Sequence, residues 1–156
     1  MLVFREFAGK MNLKALLEKY LPDRRKGDFL HTKPEMIEQM VMRIVSGMSS
    51  NNNYVYQKAD PVFMEIHGGK IASSATCSRL ESTFDLSDVE ALKKVQRALE
   101  SYNLRVTDPA EIIIDLDTTY DPASENIEYS RFNGHYGENG YSPLLAFNGL
   151  NGDFLK

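Results

Sequence analysis

Apolar residues recur at spacings of three and four over the first two thirds of the chain and give way to alternation over the last third, which predicts helices followed by sheet. Leu13, Leu16, Leu17, Tyr20 and Leu21 share one face of a helix over 12–21 that Pro22 ends. Pro34 opens a second helix at a first-turn position, and Ile37, Met40, Val41, Ile44 and Met48 form its apolar stripe, with Gly47 near the end. The methionines on that stripe read as core. "SSNNNY" reads as a polar loop, and Asp60-Pro61 as the start of a helix that Gly68 and Gly69 stop. A short helix follows within 71–84, with serines able to cap it. The next has Ser87 and Glu90 at capping-box spacing and Val89, Leu92, Val95 and Leu99 on one stripe.

Beyond residue 107 the pattern is that of strands. Ile112, Ile113 and Ile114 form a β-branched run that predicts a strand covered on both faces, and Asp115 and Asp117 then place two carboxylates on one of those faces. Residues two apart on a strand point the same way with α-carbons about 6.6 Å apart, so both carboxylates can line one cleft. "YDPASEN" reads as a turn, "IEYSRFNGHYG" as a half-exposed strand, Asn139-Gly140 as a hairpin, and "YSPLLAFNG" as a third strand in which Pro143 marks an edge or bulge. The expected architecture is α+β: a helical region over 1–106, then an antiparallel three-strand meander over 107–156.

At 156 residues with 42% hydrophobic content the composition is globular. The sequence has no apolar run of membrane-spanning length, and Arg5 and Glu6 fall where a signal peptide needs apolar residues, so a cytoplasmic protein without membrane contact is expected. Cys77, the single cysteine, excludes an internal disulfide, and His31, His67 and His135 are too scattered for a local zinc motif.

The net charge of -4 conceals an asymmetry. Residues 1–60 hold ten Lys and Arg against seven Asp and Glu, a net of +3, whereas 61–156 hold eight against fifteen, a net of -7. From Thr107 onward the basic residues are Arg131 and Lys156 alone, so Asp115 and Asp117 lack neighbouring cations in sequence. Carboxylates in that situation repel or share a metal. Upstream, "DRRKGD" with Arg24 and Arg25 either faces phosphate or is a solvated loop. Thr76, Ser78 and Arg79 on the first turns of the 71–84 helix suit backbone and base-edge contact, as in the second helix of a helix-turn-helix, and equally suit a capped connector helix.

Two chemistries use a strand that ends in D-x-D-x-T. One is the phosphatase type with an aspartate nucleophile, in which Asp115 attacks phosphorus, Asp117 moves the proton and Thr119 orders the loop. That arrangement requires strand–helix alternation and a later lysine, and the 37 residues after Thr119 read as hairpin, with no lysine before Lys156. The other is an RNase H-like nuclease or transposase, with a metal-binding aspartate on the first strand.

The ordered combination of "DPVFMEIHGGKIASSATCSRLEST", a helix, "IIIDLDTTYDP" and "FNGHYGENGYSPLLAF" resembles the bacterial insertion-sequence transposases of the DDE type, DDE domain group one, over nearly the whole chain. The resemblance implies an RNase H-like core in which Asp117, two before Thr119, is the first catalytic carboxylate and Asp115 the second choice. It also implies Mg2+ or Mn2+ as cofactor, two ions being held by three carboxylates for in-line displacement at phosphorus. DNA is the implied partner, as terminal inverted repeats bound through the helical region with Thr76, Ser78, Arg79, Arg24 and Arg25 as candidates. His135 is a candidate neighbour of the site or a solvated hairpin-end histidine. The family's second Asp and final Glu have no counterpart here, Glu138 and Asp153 being elsewhere in the pattern. A transposase fragment, inactive alone, is therefore expected, or a DNA-binding remnant that co-assembles with a full-length relative. "PLLAF" on an unpaired edge adds an expectation of self-association.

Overall fold

The computed structural model describes residues 2–155, with Asn51 described by its backbone alone. The chain divides into two compact units, 1–105 and 106–156.

The first unit is helical. Its elements are α1 (Leu2–Lys10), α2 (Leu13–Tyr20), α3 (Lys33–Val45), a 3-10 turn at Asn51–Asn53, α4 (Tyr54–Ala59), α5 (Pro61–Ile66), α6 (Ser74–Glu81) and α7 (Leu86–Thr107), the last of which runs on into the second unit. Helix α2 lies where its apolar face predicts and buries Leu13, Leu17 and Leu21. These meet Met36 and Ile37 of α3, Cys77 and Leu80 of α6, and Ala91 and Val95 of α7. A smaller cluster holds Met42, Phe63 and Ile71.

Local chemistry explains most helix ends. Thr32 Oγ1 accepts from the Glu35 backbone N–H at 3.3 Å while Glu35 Oε2 accepts from that of Thr32 at 2.8 Å, a capping box ahead of Pro34. Asp60 accepts from Val62 and Phe63 to start α5, as Asp60-Pro61 predicts. Two glycines at positive φ close α5, where Gly69 N–H donates to Met64 O at 2.8 Å.

Several expectations are corrected. The stretch "SSNNNY" is not a plain loop: its asparagines wind into a 3-10 turn that leads into α4. The buried face of α3 is rotated from the predicted stripe. Ile44 is 60% exposed, whereas Gln39 and Arg43 are buried, because polar side chains with internal work occupy core positions. The cap of α7 is Asp85 with Asp88, not Ser87 with Glu90. Asp85 Oδ1 accepts from the Asp88 N–H at 3.0 Å, and Glu90 instead pairs with Lys93. The helix therefore begins earlier and leaves Val89 at the surface, with Ala91 inside.

The second unit contains β1 (Ile114–Thr118), β2 (Asp121–Pro122), β3 (Arg131–Asn133), β4 (Glu138–Tyr141) and β5 (Leu144–Asn148). Its pairing is not the predicted meander. Strand β1 pairs antiparallel with β5, and the intervening strands form a separate three-stranded sheet in the order β2-β4-β3. Alternation identifies a strand and not its partner. The stretch "IEYSRFNGHYG" contributes only Arg131–Asn133 as strand. Asn139-Gly140 lies within β4 rather than at a turn, and the hairpin bend falls at residues 134–137, closed by Gly137 N–H to Asn133 O at 2.8 Å. Pro143 immediately precedes β5, where a missing N–H costs no ladder bond. The isoleucine run is exposed rather than covered on both faces, Ile112, Ile113 and Ile114 being 46%, 50% and 62% exposed.

Candidate functional site

Strand β1 sets the geometry of the two carboxylates. Its register on β5 pairs Asp115 with Phe147 and Asp117 with Leu145, and the pleat puts both aspartates on one face and Ile114 and Leu116 on the other. Both aspartates are exposed. Asp117 Oδ1 accepts from the Thr118 N–H at 2.8 Å, which orients that carboxylate at the end of the strand. Thr119 N–H donates to Pro143 O at 3.2 Å and holds the exit of β1 against the entry of β5.

His135 sits on the bend of the other sheet, its N–H bonded to Asn133 Oδ1 at 2.9 Å. Rings connect it to the exit of β1. His135 meets Tyr136 edge-on with centroids 4.8 Å apart, and Tyr136 stacks on Tyr120 at 4.2 Å and 12°. Tyr120 follows Asp117 by three residues, and its hydroxyl donates to Asn139 O at 2.9 Å. The ring crosses Gly140 so closely that a β-carbon there would meet Asp121 O at 2.5 Å and Tyr120 Cε2 at 2.7 Å. Burial raises the Tyr120 hydroxyl above its ordinary range, with Glu138 and Tyr136 adding to the effect. Sequence reasoning missed this stack; the usable signal was the density of aromatics from Tyr120 to Tyr141.

As for a metal, two aspartates on one face supply hard oxygen donors of the kind Mg2+ or Mn2+ takes. Among the described residues no group of three or more His, Cys, Asp or Glu side chains could hold a metal ion. Of the other acids in this unit, Glu138 opens β4 and Asp153 accepts from Asn151 Nδ2 at 2.8 Å. Among the described residues after β1 there are strands and turns and no helix, so the strand–helix alternation of the phosphatase type is not found there.

The other candidates lie in the helical unit. Ser73 caps α6 by accepting from the Thr76 N–H at 3.3 Å, and Thr76 Oγ1 accepts from Arg79 at 3.3 Å, while Ser78 and Arg79 are exposed. The segment before α6 is fixed by Gln39, whose side-chain amide bonds both the N–H and the C=O of Ala72, at 2.8 and 3.0 Å. Arg24 donates to Ser87 Oγ at 3.1 Å. Arg25 grips Asp23, donates to His31 O at 2.7 Å and lies over the Phe29 ring at 4.1 Å. The Arg25 guanidinium, helped by the backbone N–H groups of Lys33 and Arg25, holds the Asp23 carboxyl far below the usual range against the opposing effect of burial. "DRRKGD" is thus an organised loop, with Arg25 engaged by its neighbours and Arg24 by Ser87 of α7.

No helix among the described residues is long and apolar enough to cross a membrane. Fold and site together define an α+β chain in which a helical unit is followed in sequence by a unit with a carboxylate pair on an exposed strand. The particular family follows from comparison: the chain belongs to the transposase DDE domain group 1 family, whose family model matches residues 1–156. Comparison with curated proteins and with solved structures gave no match.

Proposed function

We propose that this chain is the DNA-engaging part of a DDE transposase, with Asp117 and Asp115 contributing carboxylates to a divalent-ion centre for phosphoryl transfer at element ends. The observation that carries this reading is the placement of both aspartates on one face of β1, in a chain matched along its whole length by the family. The bound ions would supply charge stabilisation and an activated oxygen for in-line displacement. Asp117, oriented by the Thr118 N–H, is the principal ligand and Asp115 the secondary one. An RNase H-like core is the framework we assign to β1 and β5.

A two-ion centre needs more carboxylates than this pair, so we assign the 156 residues a share of the site and no cleavage activity alone. DNA contact falls to α6, where Ser78 and Arg79 are exposed beside the capped first turn. Arg24, bonded to Ser87, and Arg25, bonded to Asp23 and His31, are assigned a secondary role.

The test is a titration of the 156-residue chain against duplexes ending in the element's terminal inverted repeat. Binding is expected to weaken steeply with salt and to be lost in Arg79→Ala, because phosphate contacts release counterions. Salt-insensitive or absent binding would overturn the DNA assignment, and specific Mg2+-dependent cleavage by the purified chain would overturn the assignment of partial function.

A further inference from the structure

Lys94, Arg97, Ser101 and Arg105 follow one another along α7 at spacings of three, four and four, so at about 3.6 residues per turn they share one stripe of the helix. All four are exposed, and from Lys94 to Arg105 the stripe runs for roughly 16 Å. Among the described residues no ion pair engages Lys94, Arg97 or Arg105. Arg105 Nε donates to Ser101 O at 3.2 Å, and Ser101 Oγ donates to Arg97 O at 2.7 Å, so the residue between the two arginines is small and turned onto the backbone. The acids of α7 do not cancel this charge. Asp88 is buried against Lys33 and Glu90 pairs with Lys93, which leaves Glu100, bonded to Gln96 Nε2 at 2.8 Å, against three cations. Lys93 holds the Glu90 carboxyl below its usual range, and Arg97 and Lys94 add to the effect, so the positive field reaches past that pair.

A line of like charges on a rigid helix is matched by a partner that presents a line of opposite charges. Duplex DNA does so, with one negative charge per roughly 1.7 Å of its axis. The stripe carries no ring to stack on a base and no side-chain amide for a base edge, so what it supplies is hold and orientation on the backbone. We infer that α7 lies along the phosphate backbone of duplex DNA through Lys94, Arg97 and Arg105, a sequence-independent contact distinct from the one assigned to α6. This role rests on the transposase reading above, and three phosphate contacts add to the hold of α6 without replacing it. The competing occupant is the acidic 106–156 segment of a second copy, which carries nine Asp and Glu against two basic residues. Its carboxylates are spread over two sheets and their turns and offer no comparable row.

The test measures the full chain's affinity, in EDTA, for a terminal-repeat duplex and for an unrelated duplex of equal length across a salt series. The Lys94→Gln/Arg97→Gln/Arg105→Gln variant, altered only at exposed helical positions, is expected to weaken both duplexes alike, by about tenfold or more at low salt, and to lower the salt slope by about three. Arg97→Lys/Arg105→Lys, which keeps the charges, is expected to hold the parent's slope and both affinities within about twofold, since Lys meets phosphate as a point charge. Should the triple variant lose helix content by circular dichroism, Arg97→Gln alone carries the test, with a slope lower by about one. An unchanged slope, a loss confined to the terminal-repeat duplex, or loss of self-association with duplex binding intact would each overturn the role of the stripe. Parent binding that the substitutions leave unaffected sinks this role alone, whereas absence of all duplex binding by the parent sinks it together with the transposase assignment.

Discussion

Lys33 Nζ lies 2.8 Å from Asp88 Oδ1, with both side chains only 10% exposed, so an ion pair shut away from solvent joins the first residue of α3 to the first turn of α7. The Phe84 ring lies 5.4 Å from the same ammonium. Removing one partner strands the other charge. Asp88→Ala is expected to cost roughly 3–5 kcal/mol in urea unfolding, and the Lys33→Met/Asp88→Leu double variant to recover most of it. A single variant within 1 kcal/mol of the parent would show that the pair is solvated.

Gln39 is the second internal clasp. Truncation to Ala leaves the Ala72 N–H and C=O buried without partners, at about 1–3 kcal/mol each. The expected result is a loss of roughly 2–4 kcal/mol, with amide exchange speeded at Ala72, ahead of α6, more than within the helix. Unchanged exchange at Ala72 would contradict this account of the segment.

Gly140→Ala puts a β-carbon 2.5 Å from Asp121 O and 2.7 Å from the Tyr120 ring, so backbone must move. Overpacking of this kind costs about 1–3 kcal/mol. Loss of the near-ultraviolet tyrosine signal is expected, with far-ultraviolet helix content intact because the change lies outside the helical unit.

His67 sets a pH dependence. Burial, with the charge of Arg5 second, depresses its pKa from 6.5 to about 4. Between those values the unfolded chain binds a proton that the folded chain does not, so stability falls as pH drops from about 6.5 towards 4 and levels off below. The loss is on the order of 1–2 kcal/mol after allowance for partial exposure. Glu38, raised chiefly by burial, works in the opposite sense at the low end of this window. His67→Gln is expected to flatten the profile over that range, and an unchanged slope in the variant would remove His67 as its cause.

Ile114 and Leu116 are 62% and 60% exposed on the face of β1 opposite the aspartates, and among the described residues β1 pairs only with β5. Such an apolar edge strand invites pairing between copies. Concentration-dependent self-association is expected in light scattering, and Leu116→Lys is expected to reduce it while changing stability by no more than about 0.5 kcal/mol. A parent chain monomeric at high concentration would contradict this.

The helices were legible where a local signal was unambiguous. Pro34, Asp60-Pro61 and the paired Gly68 and Gly69 marked ends that the structure keeps, and the leucines of α2 marked its buried face. The face of α3 was misread because Gln39 and Arg43 occupy core positions, and polar residues with tertiary partners are invisible to a hydrophobic stripe. Helix α1 escaped notice, since its apolar residues divide between a packed side with Phe4 and Ala8 and an exposed side with Leu2, Val3 and Phe7.

In the second unit, period two placed Asp115 and Asp117 on one face. It could not reveal that β1 pairs with the last strand, because that choice depends on contacts thirty residues away. Asn139-Gly140 misled for a physical reason: its glycine is there to admit the Tyr120 ring, not to turn the chain. His135 and the neighbouring rings were readable as composition and not as a stack.

The clasp of Gln39 on Ala72 has a consequence for how α6 can evolve. A side-chain amide facing a peptide unit reads backbone alone, so the seat of the helix is independent of the residues it displays at Ser78 and Arg79. The exposed letters of α6 can therefore be rewritten, and whatever they contact exchanged for something new, while the mounting beneath them stays the same.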